Sequence, residues 1–365
     1  MVGRILIAMI GLVLSTVAQA ASEPGCVERV VVQGSVVLDR AHGQRRVGHV
    51  ARLSAQSSFR LASVSKQFTA AAVLTLVESG QLSLDARLAD LLPGWSAYAQ
   101  TITVRHLLTH TSGLPDYEVL MDEAAAHGGP VYTSTHQIDD AAVMRLLAST
   151  NGPLFPAGSR WAYSNSGYVV LGQIVAAVSG ETFGHFLESQ VFVPNGLYHT
   201  HLRTVGGVAL EQRAYGHRQD LLTGVWHVSD QSATSATGGD GGIYSTVDDM
   251  ARWLQAIDRG ETVIGRWAST VFATTRLADG TETHWPAEPD EDNLDPGGTV
   301  QYGLGWFLDP AFGATRRWHF GTTEGFRTAI DWFPKRNIVS VVLCNRMDVD
   351  ARDRALENVR RFFGP

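Results

Sequence analysis

Short β-rich runs stand at both ends of this 365-residue chain, and a long helical, loop-rich stretch separates them. Near the N-terminus, 27–33 and 35–39 read as two strands around a turn at Gly34. Near the C-terminus, 300–308, 315–321, 326–333 and 338–344 read as further strands with turn residues between them. A helix is expected over about 63–78, with Phe68, Ala71, Ala72, Leu74, Leu76 and Val77 as its buried face and Gly80 as its stop. Others are expected over 137–149 and 166–178, from the capping pattern Thr246-Val247-Asp248-Asp249 to about 258, and over 351–363. Strands at both ends around such a middle imply a sheet lobe assembled from both termini, 21–84 and 234–365. A mainly helical lobe, 85–233, is then inserted between them. The chain is also too long for one compact core, which agrees with two lobes.

The first twenty residues read as an export signal. Arg4 supplies the positive charge, 5–14 is apolar, and Ala18-Gln19-Ala20 gives a small-x-small cleavage pattern. The apolar run is shorter than the roughly 20 residues that span a bilayer. The expectation is a signal peptide over 1–20 and a periplasmic or secreted protein starting near Ala21, with no stable membrane insertion after cleavage. Net charge is −7, or −8 once Arg4 is lost, and no basic stripe is present, which argues against nucleic acid as a partner. Two cysteines, Cys26 and Cys344, exclude a disulfide-built scaffold. They can pair in an oxidising compartment if the first and last strands are neighbours, or remain separate thiols.

Of 29 basic residues only Lys66 and Lys335 are lysines. Arginine cannot lose its proton, whereas a desolvated lysine can, so a retained lysine invites the question of what arginine could not do there. Lys335 sits in a turn-like run that needs no such explanation. Lys66 follows Ser63 by three residues, and positions i and i+3 share a helical face, so the two side chains can meet while Ser65 points elsewhere. A helix N-terminus favours an alkoxide and later an oxyanion, and a deprotonated amine can take the serine proton. As a bare string S-x-x-K is weak, and it also fits an ordinary helix start.

Two further segments add weight. Tyr163-Ser164-Asn165 stands just before a helical run, offering a phenol that can share a proton beside a cation and an amide that can orient a substrate carbonyl. Trp318-His319-Phe320-Gly321-Thr322-Thr323 is strand-like and broken by a glycine, which lets substrate backbone approach the strand edge.

With these three elements in this order, the sequence resembles the serine β-lactamases and penicillin-binding proteins. It is most similar to the class C β-lactamase-like serine hydrolases, a group that includes D-alanyl-D-alanine carboxypeptidases, D-aminopeptidases and family VIII esterases. Arg105-His106-Leu107-Leu108-Thr109-His110-Thr111-Ser112-Gly113-Leu114, Gly241-Gly242-Ile243-Tyr244-Ser245-Thr246 and Tyr302-Gly303-Leu304-Gly305-Trp306 carry the same resemblance, which runs from about Val27 to Phe363. It implies an α+β fold of the α/β sandwich type, with an antiparallel sheet flanked by helices, an inserted helical lobe and the active site between the lobes. It implies Ser63 as nucleophile, Lys66 and Tyr163 as the proton network and Asn165 as a substrate-orienting amide. His319, Gly321 and Thr322 would line the substrate, with the backbone N–H groups of Ser63 and Thr322 as the oxyanion hole. No cofactor or metal is expected. The substrate is a small-molecule or peptide ester or amide, with peptidoglycan fragments in that class.

His319 departs from the resemblance. Relatives that bind carboxylate-bearing substrates usually carry lysine there, and a histidine with an ordinary pKa near 6.5 is mostly neutral at pH 7. Arg327 or Arg346 can compensate only if the fold brings them close. Ester or amide hydrolysis is therefore expected ahead of β-lactam hydrolysis. A D-Ala carboxypeptidase or a class C-type β-lactamase is the alternative of the same class. A penicillin-recognising sensor that acylates without turnover is the alternative of another class. Substrate choice is expected to rest on the loops 116–137 and 278–298. The acidic run Glu288, Asp290, Glu291, Asp292, Asp295 reads as a solvated insertion. The i, i+4 pair His106 and His110 could face zinc, but no H-E-x-x-H or third ligand accompanies it, so a structural role is the better reading. Gly238-Gly239-Asp240-Gly241-Gly242 has no following lysine, and reads as a flexible crossing near the site rather than a phosphate loop.

Overall fold

A computed structural model of the chain describes residues 23–95, 97–203, 210–284 and 300–364. The acidic run 288–295, much of the loop 278–298 and the export signal lie outside the described residues.

Twelve strands are present among them: β1 Cys26–Val32, β2 Ser35–His42, β3 Phe59–Arg60, β4 His201–Leu202, β5 His217–Gln219, β6 Trp226–Val228, β7 Ile243–Ser245, β8 Gln301–Tyr302, β9 Phe307–Ala311, β10 Ala314–Thr323, β11 Phe326–Phe333 and β12 Ile338–Cys344. Seven form one antiparallel sheet in the order β2-β1-β12-β11-β10-β9-β8. The N-terminal hairpin thus docks on the last strand, and both termini build the same sheet. Cys26 stands directly opposite Cys344 in that register, and the two form a disulfide.

Strand β12 shows why the sheet is covered on both faces. Its seven residues are all buried. Val339, Val341 and Leu343 point into the main core, while Val342 and Cys344 pack with Ala351 and Ala355 of the helix Ala351–Arg360, and Ile338 packs with Val359. Side chains alternate faces along a strand, so a run of apolar residues implies a partner on each side.

The helix Lys66–Glu78 is buried from Lys66 to Leu74. A helix that is apolar nearly all round belongs inside the molecule, and this one packs against the helix Asn165–Ser179, with its Phe68 ring 5.0 Å from Trp253 of the helix Val247–Asp258. Thr246 caps the latter by accepting from Asp249 N–H, but the box is not reciprocal. The Asp249 carboxylate accepts instead from His199 N–H and the Thr200 hydroxyl, each at 2.8 Å. The stretch 85–233, read as mainly helical, also holds the short strands β4, β5 and β6.

Candidate active site

Strand β3 ends at Arg60, and the next residue is tied on both sides. Leu61 N–H donates to Ile243 O at 2.8 Å, and Leu61 O accepts from the Thr328 hydroxyl at 2.7 Å. The chain then turns through Ala62 at φ +49°, a left-handed conformation that is strained for alanine, by about 1–3 kcal/mol. Residues Ala62–Ser65 form a single 3-10 turn that runs into the helix Lys66–Glu78. Ser63 therefore precedes the α-helix rather than opening it. Residues i and i+3 eclipse in a 3-10 turn, and Lys66 Nζ lies 3.1 Å from Ser63 Oγ. Ser65 Oγ points away and accepts from Ile243 N–H.

Lys66 is fully buried, and its Nζ has three polar neighbours. Besides Ser63 Oγ it donates to Asn165 Oδ1 at 2.8 Å and to Asp240 O at 3.1 Å. It also lies 4.8 Å from the Tyr163 ring centroid. The Asp240 carbonyl belongs to the glycine-rich crossing 238–242, which is anchored at successive points. The Thr69 hydroxyl holds Gly239 O at 2.6 Å, Lys66 holds Asp240 O, and Arg60 Nε holds Gly241 O at 3.2 Å. The crossing read as flexible is thus clamped at three consecutive carbonyls. Asp140 holds its other end by accepting from Gly238 N–H at 2.9 Å, and burial, with the nearby Asp240 charge, pushes the Asp140 carboxyl up to about 7.

Tyr163 and Asn165 are positioned by His110. The His110 backbone carbonyl accepts from Ala162 N–H at 2.9 Å, and its Nδ1 accepts from Ser164 N–H at 3.1 Å, so the two bonds bracket Tyr163. The His110 ring lies 4.3 Å from the Tyr163 ring. Burial, reinforced by Lys66, holds His110 well below its ordinary pKa. His106 is committed elsewhere, accepting from Thr103 N–H in a helix cap.

A cavity of about 630 Å³ opens over this group. Ser63, Tyr163, Asn165 and Thr322 line it, together with Asp116, Asp240, Phe320 and Arg327. The structure therefore brings together Ser63, Lys66, Tyr163, Asn165 and Thr322. Two residues expected to line the substrate are not among the cavity's lining residues. The His319 side chain is fully buried and does not line the cavity. Its Nε2 lies 3.0 Å from the Tyr302 hydroxyl and its Nδ1 2.8 Å from Phe320 O. Burial, then Lys66, lowers it to about 3, so it is neutral at pH 7 and offers substrate no cation. Gly321 is not among the residues that line the cavity, and it sits close against the protein's own backbone. A Cβ there would collide with Leu61 O and come within 3.0 Å of Ala62 Cβ. The glycine lets β10 pass directly beneath the Ser63 turn. Of the two arginines, Arg327 lines the cavity, while Arg346 is forked onto Asp348.

Substituting Gly321→Ala should push the Ser63 turn off its position. A misplacement of about 1 Å can cost about 100-fold in rate, and that loss in kcat is expected of a chain that still folds by circular dichroism. An unchanged kcat would show that the close approach does not hold the turn.

Sequence reasoning missed Asp116 and Asp240. The flanking glycines marked the crossing but gave no sign that its aspartate faces the cavity.

An antiparallel sheet flanked by helices, with a serine hydroxyl on a buried lysine at a cavity, defines a class of hydrolase fold. The family model described as Beta-lactamase matches residues 14–361, and the chain belongs to that β-lactamase-related serine hydrolase family. A penicillin-binding protein of Bacillus subtilis is 27% identical over 334 residues, covering 88% of this chain and 68% of the relative. A D-aminopeptidase of Brucella anthropi is 29% identical over 235 residues, covering 64% of this chain and 42% of the relative. This chain thus spans less than half of that D-aminopeptidase. The octameric penicillin-binding protein homologue from Pyrococcus abyssi has the same fold, with a TM-score of 0.77 and 23% identity over 97% of this chain and 77% of that one.

Proposed function

We propose that the chain is an exported serine hydrolase that cleaves an ester or amide through an acyl-enzyme on Ser63. The observation that carries this reading is the bridge from Lys66 Nζ to both Ser63 Oγ and Asn165 Oδ1 beneath the cavity. In acylation the Lys66 amine keeps its N–H bonds to Asn165 Oδ1 and Asp240 O and turns its lone pair to Ser63 Oγ, so that it takes the Ser63 proton as the Ser63 oxygen attacks the substrate carbonyl carbon. The backbone N–H groups of Ser63 and Thr322 hold the oxyanion, and Asn165 orients the carbonyl's substituents. The phenol of Tyr163, beside Lys66, returns the proton to the leaving alcohol or amine. Water then attacks the acyl carbon and releases the acid, regenerating the Ser63 hydroxyl. The cleft is proposed to lie between the lobe built from 21–84 with 234–365 and the lobe 85–233.

The D-aminopeptidase relative supports amides as well as esters. The buried, neutral His319 argues against efficient use of carboxylate-bearing β-lactams. Residues 1–20 are proposed as the export signal. The Cys26–Cys344 disulfide supports that, because such bonds persist in oxidising compartments. Among the described residues no helix is long and apolar enough to cross a membrane.

A fluorophosphonate probe with intact-mass readout tests the proposal alongside turnover of p-nitrophenyl acetate and nitrocefin. Expected are a single adduct on Ser63 and ester turnover faster than nitrocefin turnover. Stable labelling by a penicillin with no ester turnover would favour a sensor, and labelling at another residue would remove the assignment.

A further inference from the structure

The charged lining of the cavity is uneven. Glu324 is forked onto Arg218 and also accepts from the Ser229 hydroxyl. Arg60 and Arg327 are turned onto main-chain oxygens, Arg60 onto Gly241 O and Arg327 onto Thr323 O and Phe326 O. Asp116 and Asp240 form no ion pair among the described residues. Asp116 accepts from the backbone N–H groups of Glu118 and Asn165. Asp240 Oδ2 accepts from the Tyr117 hydroxyl at 3.0 Å. Asp240 is only 6% exposed, and its Oδ1 has no hydrogen-bond partner among the described residues. Among those residues no lysine or arginine side chain donates to either carboxylate. Lys66 is close enough for its charge to reach Asp116, but its Nζ is engaged with Ser63, Asn165 and the Asp240 backbone and donates to neither carboxylate. A buried carboxylate oxygen left unpaired is costly, and a cation arriving from the cavity relieves that cost.

We propose that Asp116 and Asp240 form a subsite for a primary ammonium on the substrate, so that the enzyme selects amino-acid amides and esters with an unblocked amino group. This rests on Ser63 being the nucleophile, and it names the substrate class of that site. It explains two features together. The third motif offers no cation for an anionic substrate, and the two carboxylates beside Asn165 have no direct ion-pair partner. Burial, and then Asp240, pushes the Asp116 carboxyl up, against the opposing pull of Lys66 and the Glu118 and Asn165 N–H groups. A metal ion is a poorer occupant. Among the described residues no group of three or more histidine, cysteine or acidic side chains converges to hold one.

The test compares alanine p-nitroanilide, in both D and L forms, with its N-acetyl derivative. The quantity read is the ratio of kcat/KM for free over acetylated substrate, which cancels any general change in the catalytic group. In the wild type that ratio should be about tenfold or more for one enantiomer, the scale of a desolvated charge pair. In Asp240→Asn and Asp116→Asn it should collapse toward one, chiefly through KM for the free amine, and Asp240→Glu should recover part of it. A wild-type ratio near one, or a ratio unchanged in both variants, overturns the subsite. Failure of the subsite alone would leave Ser63 labelled by fluorophosphonate and p-nitrophenyl acetate hydrolysed. Loss of both labelling and hydrolysis in the wild type would overturn the nucleophile and the subsite together.

Discussion

Replacing Ser63 or Lys66 with alanine should reduce hydrolysis of p-nitrophenyl acetate by about 10⁴-fold or more, to near the uncatalysed rate. Ser63→Ala removes the atom that forms the acyl bond. Lys66→Ala removes the proton acceptor 3.1 Å from that atom, and it also frees Asn165 and the Asp240 carbonyl from their shared donor. The two losses should not add, because the groups act as one unit, and the double variant should be no slower than either single one. Lys66→Arg separates charge from proton transfer. It keeps a cation but cannot give up a proton at any useful pH, so it should be as inactive as alanine. Lys66 is fully buried, and the larger guanidinium also has to be accommodated there. Thermal unfolding of each variant is therefore measured beside activity. Wild-type rates in any folded variant would exclude the pair as the reacting groups.

The pair was legible because it is local. A serine and a lysine three residues apart meet in any right-handed turn, and scarcity of lysine drew attention to Lys66. The assembly of the sheet from both termini was legible too, since β-rich runs bounded by turn residues stand at both ends, and β12 is apolar but for Ser340. What was not legible depends on long-range register. The approach of β10 to the Ser63 turn is set by Thr328 and Leu61, which are 267 residues apart. His319 reads as a polar residue in a strand, and nothing local says that Tyr302 and Phe320 seal it away. The helix Tyr117–Ala126, capped by Asp116, fell within a stretch read as loop. Asp240 lay within a string of glycines whose path is fixed by Thr69, Lys66 and Arg60, residues from another part of the chain. Pairing of the two cysteines was left open for the same reason, as only the β1–β12 register decides it.

Loss of that disulfide should cost the fold about 2–5 kcal/mol. Cys26 and Cys344 are 318 residues apart, so the bond closes nearly the whole described chain into one loop. In the chain-entropy account the stabilisation grows with loop length and acts on the unfolded state, which places a loop this long toward the upper end of that range. Both half-cystines are fully buried against Ala329, Val342, Ala351 and Ala355, so small apolar replacements keep the packing. Cys26→Ala with Cys344→Ala should therefore fold, but with a lowered denaturant midpoint and a larger m-value, because the unfolded chain without the bridge is less compact. Adding reductant under unfolding conditions should bring the wild type down to the double variant and leave the variant where it is. The consequence for function is indirect. The hairpin β1–β2 has no neighbour in the sheet except β12, and Asn345, just past the bridge, binds Gly25, Gln44, Arg45 and Tyr215. Ser63 and Lys66 are held by other bonds, from Ile243, Thr328, Asn165 and Asp240. The double variant should then keep its kcat at low temperature and lose activity earlier on heating. Equal midpoints for the oxidised and reduced wild type would show that strand pairing alone secures the N-terminal hairpin.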